Sequence, residues 1–257
     1  MYLNLVLIIL LPANILQDSL LPIIDTERVQ ISKSISFSKS KKFLQNIYLR
    51  SNKNVTFYCG CAFNLEKEID IESCNYSPKN ENNKRSRRLE FEHVVPASKL
   101  GKNLQCWKEP ICQTKKGKNY KGRRCCKKVS KEFKRMEADM HNLFPSIGEV
   151  NGDRSNYSFG EIPNENRNYG QCDFEILNKV AEPKESIRGD IARSYFYMSK
   201  QYKISIPEIY ENLLRQWHLS DPPDDWERDR NSFIEEIQGN RNPFIDYPEK
   251  VERVRDF

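Results

Sequence analysis

The chain has 257 residues, of which 38% are hydrophobic and 30% are charged. This length allows one sizeable hydrophobic core, and the apolar content is too high for a disordered chain. We therefore expect a globular protein with a large polar surface. The net charge of +6 favours a polyanionic partner such as nucleic acid or an anionic surface, with a generic basic surface as the alternative.

An apolar run over residues 3–11, closed by Pro12, begins the chain. It has the length of a signal-peptide core and is too short to span a membrane. We predict an export signal over residues 1–17, although no Lys or Arg precedes the run and a buried N-terminal segment is the alternative. Residues 18–37 are expected as a polar linker, 38–247 as the domain and 248–257 as a C-terminal tail.

Hydrophobic periodicity in the remaining chain predicts few strands and several helices. In chain order we expect a helix over residues 38–49, a short β-type run at 55–58, a strand over 89–93 and one helical turn at 97–101. Residues 108–128 are expected as a surface loop held by disulfides. Further helices are expected over 131–143, 187–198, 207–219 and 223–238, the last ended by Gly239. The prediction is a single helix-rich α+β domain.

The chain has eight cysteines, an even number, without the repeated spacing of zinc sites. We predict that they form disulfides in an oxidising compartment, and a zinc-binding structural protein is the alternative. The residues concerned are Cys59, Cys61, Cys74, Cys106, Cys112, Cys125, Cys126 and Cys172.

Glu92 and His93 are adjacent at the end of the predicted strand, and Pro96 turns the chain soon after. Because neighbouring strand residues point to opposite faces, both can serve one site only where the strand ends or bends. His93, His141 and His218 are the three histidines of the chain, so few side chains could act as a general base at neutral pH. Glu92 is therefore a candidate metal ligand beside His93, a candidate proton acceptor. The alternative is that both residues have a purely structural role.

Residues 141–156 are rich in Asn, Gly and Asp, and Asn151-Gly152 is a turn signal. Such clusters are usually only turns, but the preceding helix would bring Asn151 back towards Glu92. Two oxygen ligands suit a hard cation such as Mg²⁺, which keeps several waters and substrate phosphates. Glu92 and Asn151 are therefore candidate metal ligands.

Basic side chains dominate residues 115–135, with almost no acid between them. Beside a metal site such a run favours a track for a phosphate backbone, bound without sequence preference and with strong salt dependence. A solvated charged surface is the alternative. The residues expected to bind nucleic acid are Lys115, Lys116, Lys118, Lys121, Arg124, Lys127, Lys128 and Arg154.

Seven blocks of the sequence, in order and spacing, resemble the bacterial endonuclease I family of periplasmic or secreted non-specific nucleases. They are FYCGCAF (57–63), EFEHVVPAS (90–98), LQCW (104–107), MEADMHNLFPSIGEVNGDRSN (136–156), YGQC (169–172), AEP with RGDIARSYFYM (181–198) and IQGNRNPF (237–244). The resemblance covers residues 57–244 and implies a disulfide-stabilised α+β domain around a small ββα-metal, or His-Me, finger.

The resemblance implies roles for five residues at the site. His93 matches the general base of the family, Glu92 and Asn151 match its magnesium ligands, and Glu137 matches a carboxylate that orients the histidine. Arg123 is the best match to an arginine that contacts phosphate.

Local alignment leaves Arg124 as the alternative to Arg123. The implied activity is Mg²⁺-dependent hydrolysis of DNA and also of RNA by a monomer, with Ca²⁺ or Mn²⁺ as substitute ions and products that end in 5′-phosphate and 3′-hydroxyl groups. A non-catalytic nucleic-acid-binding protein that kept the nuclease fold is the alternative function. Because Glu92, His93 and Asn151 are all present, the sequence favours the enzyme over the binder.

The cysteine pattern departs from the family. Arg228 stands where a cysteine is usual, the usual C-terminal cysteine is absent, and Cys112 and Cys125 are extra. The resemblance therefore implies that one disulfide of the family is lost and another is gained, with the pairs Cys59–Cys172, Cys61–Cys74, Cys106–Cys126 and Cys112–Cys125. As an alternative, the adjacent Cys125 and Cys126 could exchange partners.

Overall fold

The computed structural model of the protein describes residues 35–257. The expected export signal at 1–17 and most of the expected linker at 18–37 lie outside these residues. The helices are α1 (Phe37–Arg50), α2 (Ala97–Gly101), α3 (Gln105–Lys108), α4 (Arg123–Val129), α5 (Lys131–Ala138), α6 (Gly148–Arg154), α7 (Arg188–Tyr202), α8 (Glu208–Ser220), α9 (Asp225–Gln238), α10 (Pro243–Asp246) and α11 (Lys250–Arg253). Three short 3₁₀ segments lie at Glu72–Cys74, Met140–Asn142 and Glu185–Ile187.

The strands are short and form small, separate sheets. They are β1 (Ala62–Phe63), β2 (Ile69–Asp70), β3 (Leu89–His93), β4 (Cys112–Gln113), β5 (Asn119–Tyr120), β6 (Leu143–Ile147), β7 (Ser158–Phe159), β8 (Phe174–Leu177) and β9 (Val180–Pro183). Over residues 35–257 the pairs β1–β2, β3–β6 and β4–β5 are antiparallel hairpins or ladders, and β9 lies between β7 and β8. The helix-rich α+β architecture follows the prediction.

Strands β3 and β6 and helix α6 form the unit that positions the site. β3 pairs antiparallel with β6, so that Leu89 faces Ile147 and His93 faces Leu143. α6 follows β6 without a loop and packs against both strands. The end of β3, where Glu92 and His93 lie, is thereby held between a partner strand and a helix.

The main core lies around helix α7, which is buried on both sides as its sequence predicts. The last residues of the chain close this core, since the Phe257 ring stacks on Phe196 with ring centroids 4.3 Å apart. The backbone N–H of Ile206 donates to the Phe257 carbonyl, and the Phe257 N–H donates to the Glu211 carboxylate. Residues 248–257, expected as a tail, are thus packed against the domain.

All eight cysteines form disulfides, in the four pairs that the family resemblance implies. Cys106–Cys126 and Cys112–Cys125 attach the β4–β5 hairpin and α3 to adjacent residues of α4. No cysteine is therefore left to bind zinc as a thiolate. In the described part of the chain, no helix has the length and apolarity needed to cross a membrane.

Several local predictions were wrong in whole or in part. The helix expected over 131–143 ends at Ala138, and a 3₁₀ segment and strand β6 follow it. The β-type run expected at 55–58 is confirmed only at Val55, which makes an isolated antiparallel bridge with Ala62. The chain then turns over residues 57–59, where the Gly60 N–H donates to the Thr56 carbonyl. Residues 108–128 contain a hairpin and α4 rather than a loop. Asn151-Gly152 lies inside α6 rather than in a turn, and a Cβ at Gly152 would meet only the end of the Arg85 side chain.

Candidate active site

A cleft of about 690 Å³ opens beside the C-terminal end of β3. Glu92, His93, Arg123 and Asn151 all line it, although they come from β3, α4 and α6. The fold therefore brings together four of the five residues that the sequence assigned to the site, and the fifth, Glu137, contacts two of them.

The Glu92 carboxylate is almost fully buried, at 3% exposure, and its Oε1 atom accepts two hydrogen bonds. The Tyr58 hydroxyl donates one at 2.9 Å, and Arg154 Nη1 donates the other at 2.7 Å. Burial raises the pKa of Glu92, while the Arg154 guanidinium opposes this shift. Both bonds go to one oxygen and hold the carboxylate in one orientation at the cleft wall.

Arg154 was predicted to bind nucleic acid, but its side chain is fully buried and is not accessible to a polynucleotide. Besides its ion pair with Glu92, it donates to the backbone carbonyls of His93 at 2.9 Å and Val94 at 2.8 Å. A guanidinium has five donors in a planar fork, which suits this shared role. Arg154 therefore anchors the strand end from behind the site.

The His93 imidazole is buried and bonded through one nitrogen. Its Nε2 lies 2.8 Å from the Glu137 backbone carbonyl, one of the last carbonyls of α5, which has no partner within the helix. A carbonyl only accepts, so this contact assigns the proton to Nε2 and the lone pair to Nδ1. Burial and the nearby Arg123 lower the pKa of His93 to about 3, so that the ring is neutral at physiological pH.

Glu137 orients the histidine by its backbone carbonyl rather than by its carboxylate. The carboxylate, only 2% exposed, instead accepts from Arg123 Nε at 2.7 Å and lies 3.7 Å from Lys127 Nζ. Glu137 therefore contacts both the His93 imidazole and the cations beside it.

The geometry favours Arg123 over Arg124 as the cleft arginine. Arg123 lines the cleft with a half-exposed guanidinium held by Glu137. Arg124, the next residue of α4, points elsewhere and lies over the Tyr120 ring at 4.3 Å.

The other predicted nucleic-acid contacts lie on the β4–β5 hairpin and α4. They are exposed, and none of them is among the residues that line the cleft in residues 35–257: Lys115, Lys116, Lys118, Lys121, Lys127 and Lys128. Cations from outside this run line it instead, namely Lys41, Lys67, Arg87 and Arg88. The sequence concealed this second group because its members are scattered over three separate places in the chain, with acids between them.

Asn151 projects from α6 into the cleft, and its amide is oriented by Glu90. Asn151 Nδ2 donates to Glu90 Oε2 at 2.9 Å, which leaves the amide oxygen for another partner. Glu90 is in turn bonded to Arg85 at 2.7 Å and to Arg88. Sequence reasoning missed Glu90, although its position two residues before Glu92 places both on one face of β3. Nothing in the sequence pointed to Tyr58.

The donor set of the cleft fits a hard divalent cation. A carboxylate on β3 and an amide oxygen on α6 face one space, and Mg²⁺ binds few protein oxygens while it keeps waters. A separate group of three carboxylates, Glu165, Asp173 and Glu175, shares ion pairs with Arg167 and is already neutralised in part.

Fold and site together define a disulfide-bonded α+β protein with a neutral buried histidine, an oriented carboxylate and an amide in one basic cleft. The profile of the family described as Endonuclease I matches residues 28–249, so the chain belongs to this family and the resemblance is confirmed.

Three relatives illustrate the similarity. A periplasmic deoxyribonuclease of Aeromonas hydrophila is 42% identical over 224 residues, which cover 85% of this chain and 88% of that protein. An extracellular deoxyribonuclease of the same organism is 43% identical over 82% of this chain and 88% of its own length. Endonuclease-1 of Buchnera aphidicola subsp. Acyrthosiphon pisum (strain APS) is 39% identical over 80% of this chain and 82% of its own length.

Proposed function

We propose that the protein is an exported, sequence-non-specific, metal-dependent endonuclease that hydrolyses phosphodiester bonds in DNA and in RNA. The observation that carries this proposal is the convergence of His93, Glu92, Asn151 and Arg123 on one cleft. Membership of the Endonuclease I family supports the reaction class, and the names of the deoxyribonuclease relatives support DNA as a substrate.

In this proposal β3, β6 and α6 are the ββα-metal finger. Glu92 and Asn151 would hold Mg²⁺, which supplies positive charge for a phosphate oxygen and the leaving 3′-oxygen when it is bound. Ca²⁺ or Mn²⁺ would fit the same oxygen ligands.

His93 acts as the general base through Nδ1. It removes a proton from the water that attacks phosphorus, and the Glu137 carbonyl keeps the proton on Nε2 throughout. The guanidinium of Arg123 binds the phosphate, where its planar donors stabilise the added negative charge. The products carry 5′-phosphate and 3′-hydroxyl ends.

The polynucleotide is bound through its backbone. Lys41, Lys67, Arg87 and Arg88 line the cleft, while the hairpin lysines provide a more distant basic surface. Contacts of this kind neutralise phosphates without reading bases, so binding weakens steeply with salt.

The test is cleavage of plasmid and of RNA by the purified protein, with Mg²⁺ and with a chelator, beside His93→Ala. We expect cleavage that requires Mg²⁺ and falls by at least about 100-fold in His93→Ala, since general-base catalysis typically contributes that much or more. His218→Gln, a histidine outside the cleft, is the matched control and should retain activity if it melts near the wild-type temperature. Binding of plasmid without cleavage would refute the proposal and support the non-catalytic binder, whereas equal cleavage by His93→Ala would refute His93 as the general base.

Periplasmic or secreted localisation is part of the proposal. The four disulfides need an oxidising compartment, and the Aeromonas relatives are named as periplasmic and extracellular proteins. Fractionation of cells that express the full chain should recover it outside the cytoplasm with no free thiols.

A further inference from the structure

We propose that Phe37 is a positioning residue of this site, whose ring holds the His93 imidazole in place and gathers the cations Lys41, Arg123 and Lys127 beside it. The inference rests on the proposed nuclease function and adds a residue from α1, outside the strand and helices that carry the catalytic groups.

The Phe37 ring packs directly on the general base. Its centroid lies 5.0 Å from that of His93 with the planes inclined by 32°, and Phe37 is partly buried at the wall of the cleft. It is the first residue of α1, whose N-cap is Ser36. An aromatic residue at the start of a helix can reach across to a neighbouring element because no preceding turn covers it.

Two adjacent carbonyls at the end of α5 fix the positions of Phe37 and His93 relative to each other. The Ser40 hydroxyl, one turn along α1 from Phe37, donates to the Ala138 carbonyl at 2.6 Å. His93 Nε2 bonds the neighbouring Glu137 carbonyl at 2.8 Å. Helix α1, which carries Phe37, and the His93 imidazole are thus hydrogen-bonded to consecutive peptide units of α5. Their relative position is therefore set by one rigid element.

The hydrogen bond alone does not define the imidazole plane. A bond at Nε2 fixes one direction of the His93 ring and leaves rotation about that direction free. Packing against the Phe37 face opposes this rotation and so directs Nδ1 into the cleft. Small errors in the direction of a base are costly, because a displacement of about 1 Å can reduce a rate by about 100-fold.

The same aromatic ring is surrounded by cations. Lys41 Nζ lies 4.7 Å from its centroid, Lys127 Nζ 5.6 Å and Arg123 Cζ 5.8 Å. All three distances are within the range of cation–π attraction. These cations repel one another, and burial together with Lys67 and Lys127 lowers the pKa of Lys41. The π face of Phe37, together with the Glu137 carboxylate, keeps them close enough to meet a single phosphate.

Simple apolar packing is the competing role, because Phe37 also touches the core. Three substitutions separate the two. Phe37→Ala removes both the packing and the π face, Phe37→Leu keeps apolar packing without the π face, and Phe37→Tyr keeps both. Phe43→Ala, on the same helix but exposed and outside the cleft, is the matched control.

We expect Phe37→Ala to lower kcat for plasmid cleavage by about 10- to 100-fold and to raise KM, with a melting temperature close to that of Phe43→Ala. Phe37→Leu should recover most of kcat while KM stays raised and more sensitive to salt, because the cations are no longer held together. Phe37→Tyr should recover both constants. Unchanged kinetics in Phe37→Ala, or an equal loss in Phe43→Ala, would overturn the proposal.

A readout without turnover separates this inference from the nuclease function. The chain has three histidines, so the imidazole ¹⁵N signals of the Mg²⁺-containing protein without nucleic acid can be assigned with one variant each. We expect the Nε2–H tautomer of His93 in every variant, because the Glu137 carbonyl fixes it. The orientation of the ring should differ, with one set of NOEs from the His93 ring protons in wild type and Phe37→Tyr and averaged NOEs in Phe37→Ala. If the protein cleaves nothing, the proposed function fails while this spectrum still decides whether Phe37 positions His93. Identical NOEs from the His93 ring protons to residues other than Phe37, in wild type and Phe37→Ala, would refute the positioning role.

Discussion

At the residue scale, the site depends on partners that orient its functional groups from behind. Glu92 is held by Tyr58 and Arg154, and Asn151 is held by Glu90. In the proposed function none of these three partners acts on the metal or the phosphate. They remove rotational freedom from the groups that would point at the metal or phosphate when the substrate arrives.

Glu90 offers a direct test of this orientation. In Glu90→Gln the charged acceptor for the Asn151 amide and for two arginines is lost, so the amide oxygen is no longer directed to the metal. We expect the Mg²⁺ concentration for half-maximal cleavage to rise by about 10-fold or more, with less effect at saturating Mg²⁺.

Titration of plasmid cleavage with Mg²⁺ measures this change. Glu182→Gln is the matched control, because it also breaks a carboxylate–arginine pair, with Arg188, but outside the cleft. An unchanged Mg²⁺ requirement in Glu90→Gln would show that Asn151 is oriented by other contacts.

His141 sets a pH limit on stability. It is buried at 1% exposure beside the Asn240 carbonyl, and burial lowers its pKa to about 4. The unfolded chain therefore binds this proton first, below its ordinary pKa of about 6.5. The contribution of neutral, buried His141 to the free energy of unfolding is therefore fully present above pH 6.5. As the pH falls towards 4 this contribution is lost, and the free energy of unfolding decreases by up to about 1.4 kcal/mol per pH unit.

Urea unfolding at several pH values measures this loss. We expect His141→Gln to be less stable than wild type at pH 7 but to show a shallower decline between pH 6.5 and 4. Parallel curves for the two proteins would mean that other groups, such as His93 and His218, account for the acid sensitivity.

At the element scale, close contacts between helix ends and loops fix the relative position of the helices. Gly189 lies in the first turn of α7, where its N–H donates to the Asp221 carboxylate at the end of α8. A Cβ at this position would collide with the Asp221 backbone oxygen, and backbone cannot move aside as a side chain can.

We therefore expect Gly189→Ala to reduce the free energy of unfolding by about 1–3 kcal/mol, as overpacking does elsewhere. Gly152→Ala in α6 is the comparison, since its nearest neighbour is the end of the Arg85 side chain, which can shift. Denaturant unfolding of both variants measures the difference, and an equal or smaller loss in Gly189→Ala would contradict the close packing of α7 on α8.

At the scale of the whole molecule, the disulfides connect elements that the small sheets leave separate. Cys59–Cys172 spans 113 residues and ties the Tyr58 turn to the segment before β8, whereas Cys61–Cys74 spans 13 residues. In the chain-entropy description, a bridge stabilises by restricting the unfolded chain, and more so when it closes a longer loop.

Replacing both cysteines of Cys59–Cys172 with serine should therefore cost about 2 kcal/mol more than the same change at Cys61–Cys74. Calorimetric or denaturant unfolding of the two double variants measures the difference. Equal losses would indicate that the unfolded chain is already compact in this region or that strain in the folded state decides the outcome.

Local patterns determined much of this protein from its sequence. Alternation placed the strand at Leu89–His93, periodicity placed α1, α7, α8 and α9, and residue chemistry singled out Glu92, His93 and Asn151. These signals act over a few residues, and a single sequence carries them in full.

Only the tertiary structure decided how these residues are used. It buried Arg154 behind Glu92, placed Asn151 on a helix instead of a turn, and turned the Glu137 carbonyl rather than its carboxylate to His93. It also brought Phe37 of helix α1 against the His93 ring. The physical reason is that burial, hydrogen-bond partners and the summed field of charges depend on which segments meet in space, and such long-range pairings leave no local pattern in the chain.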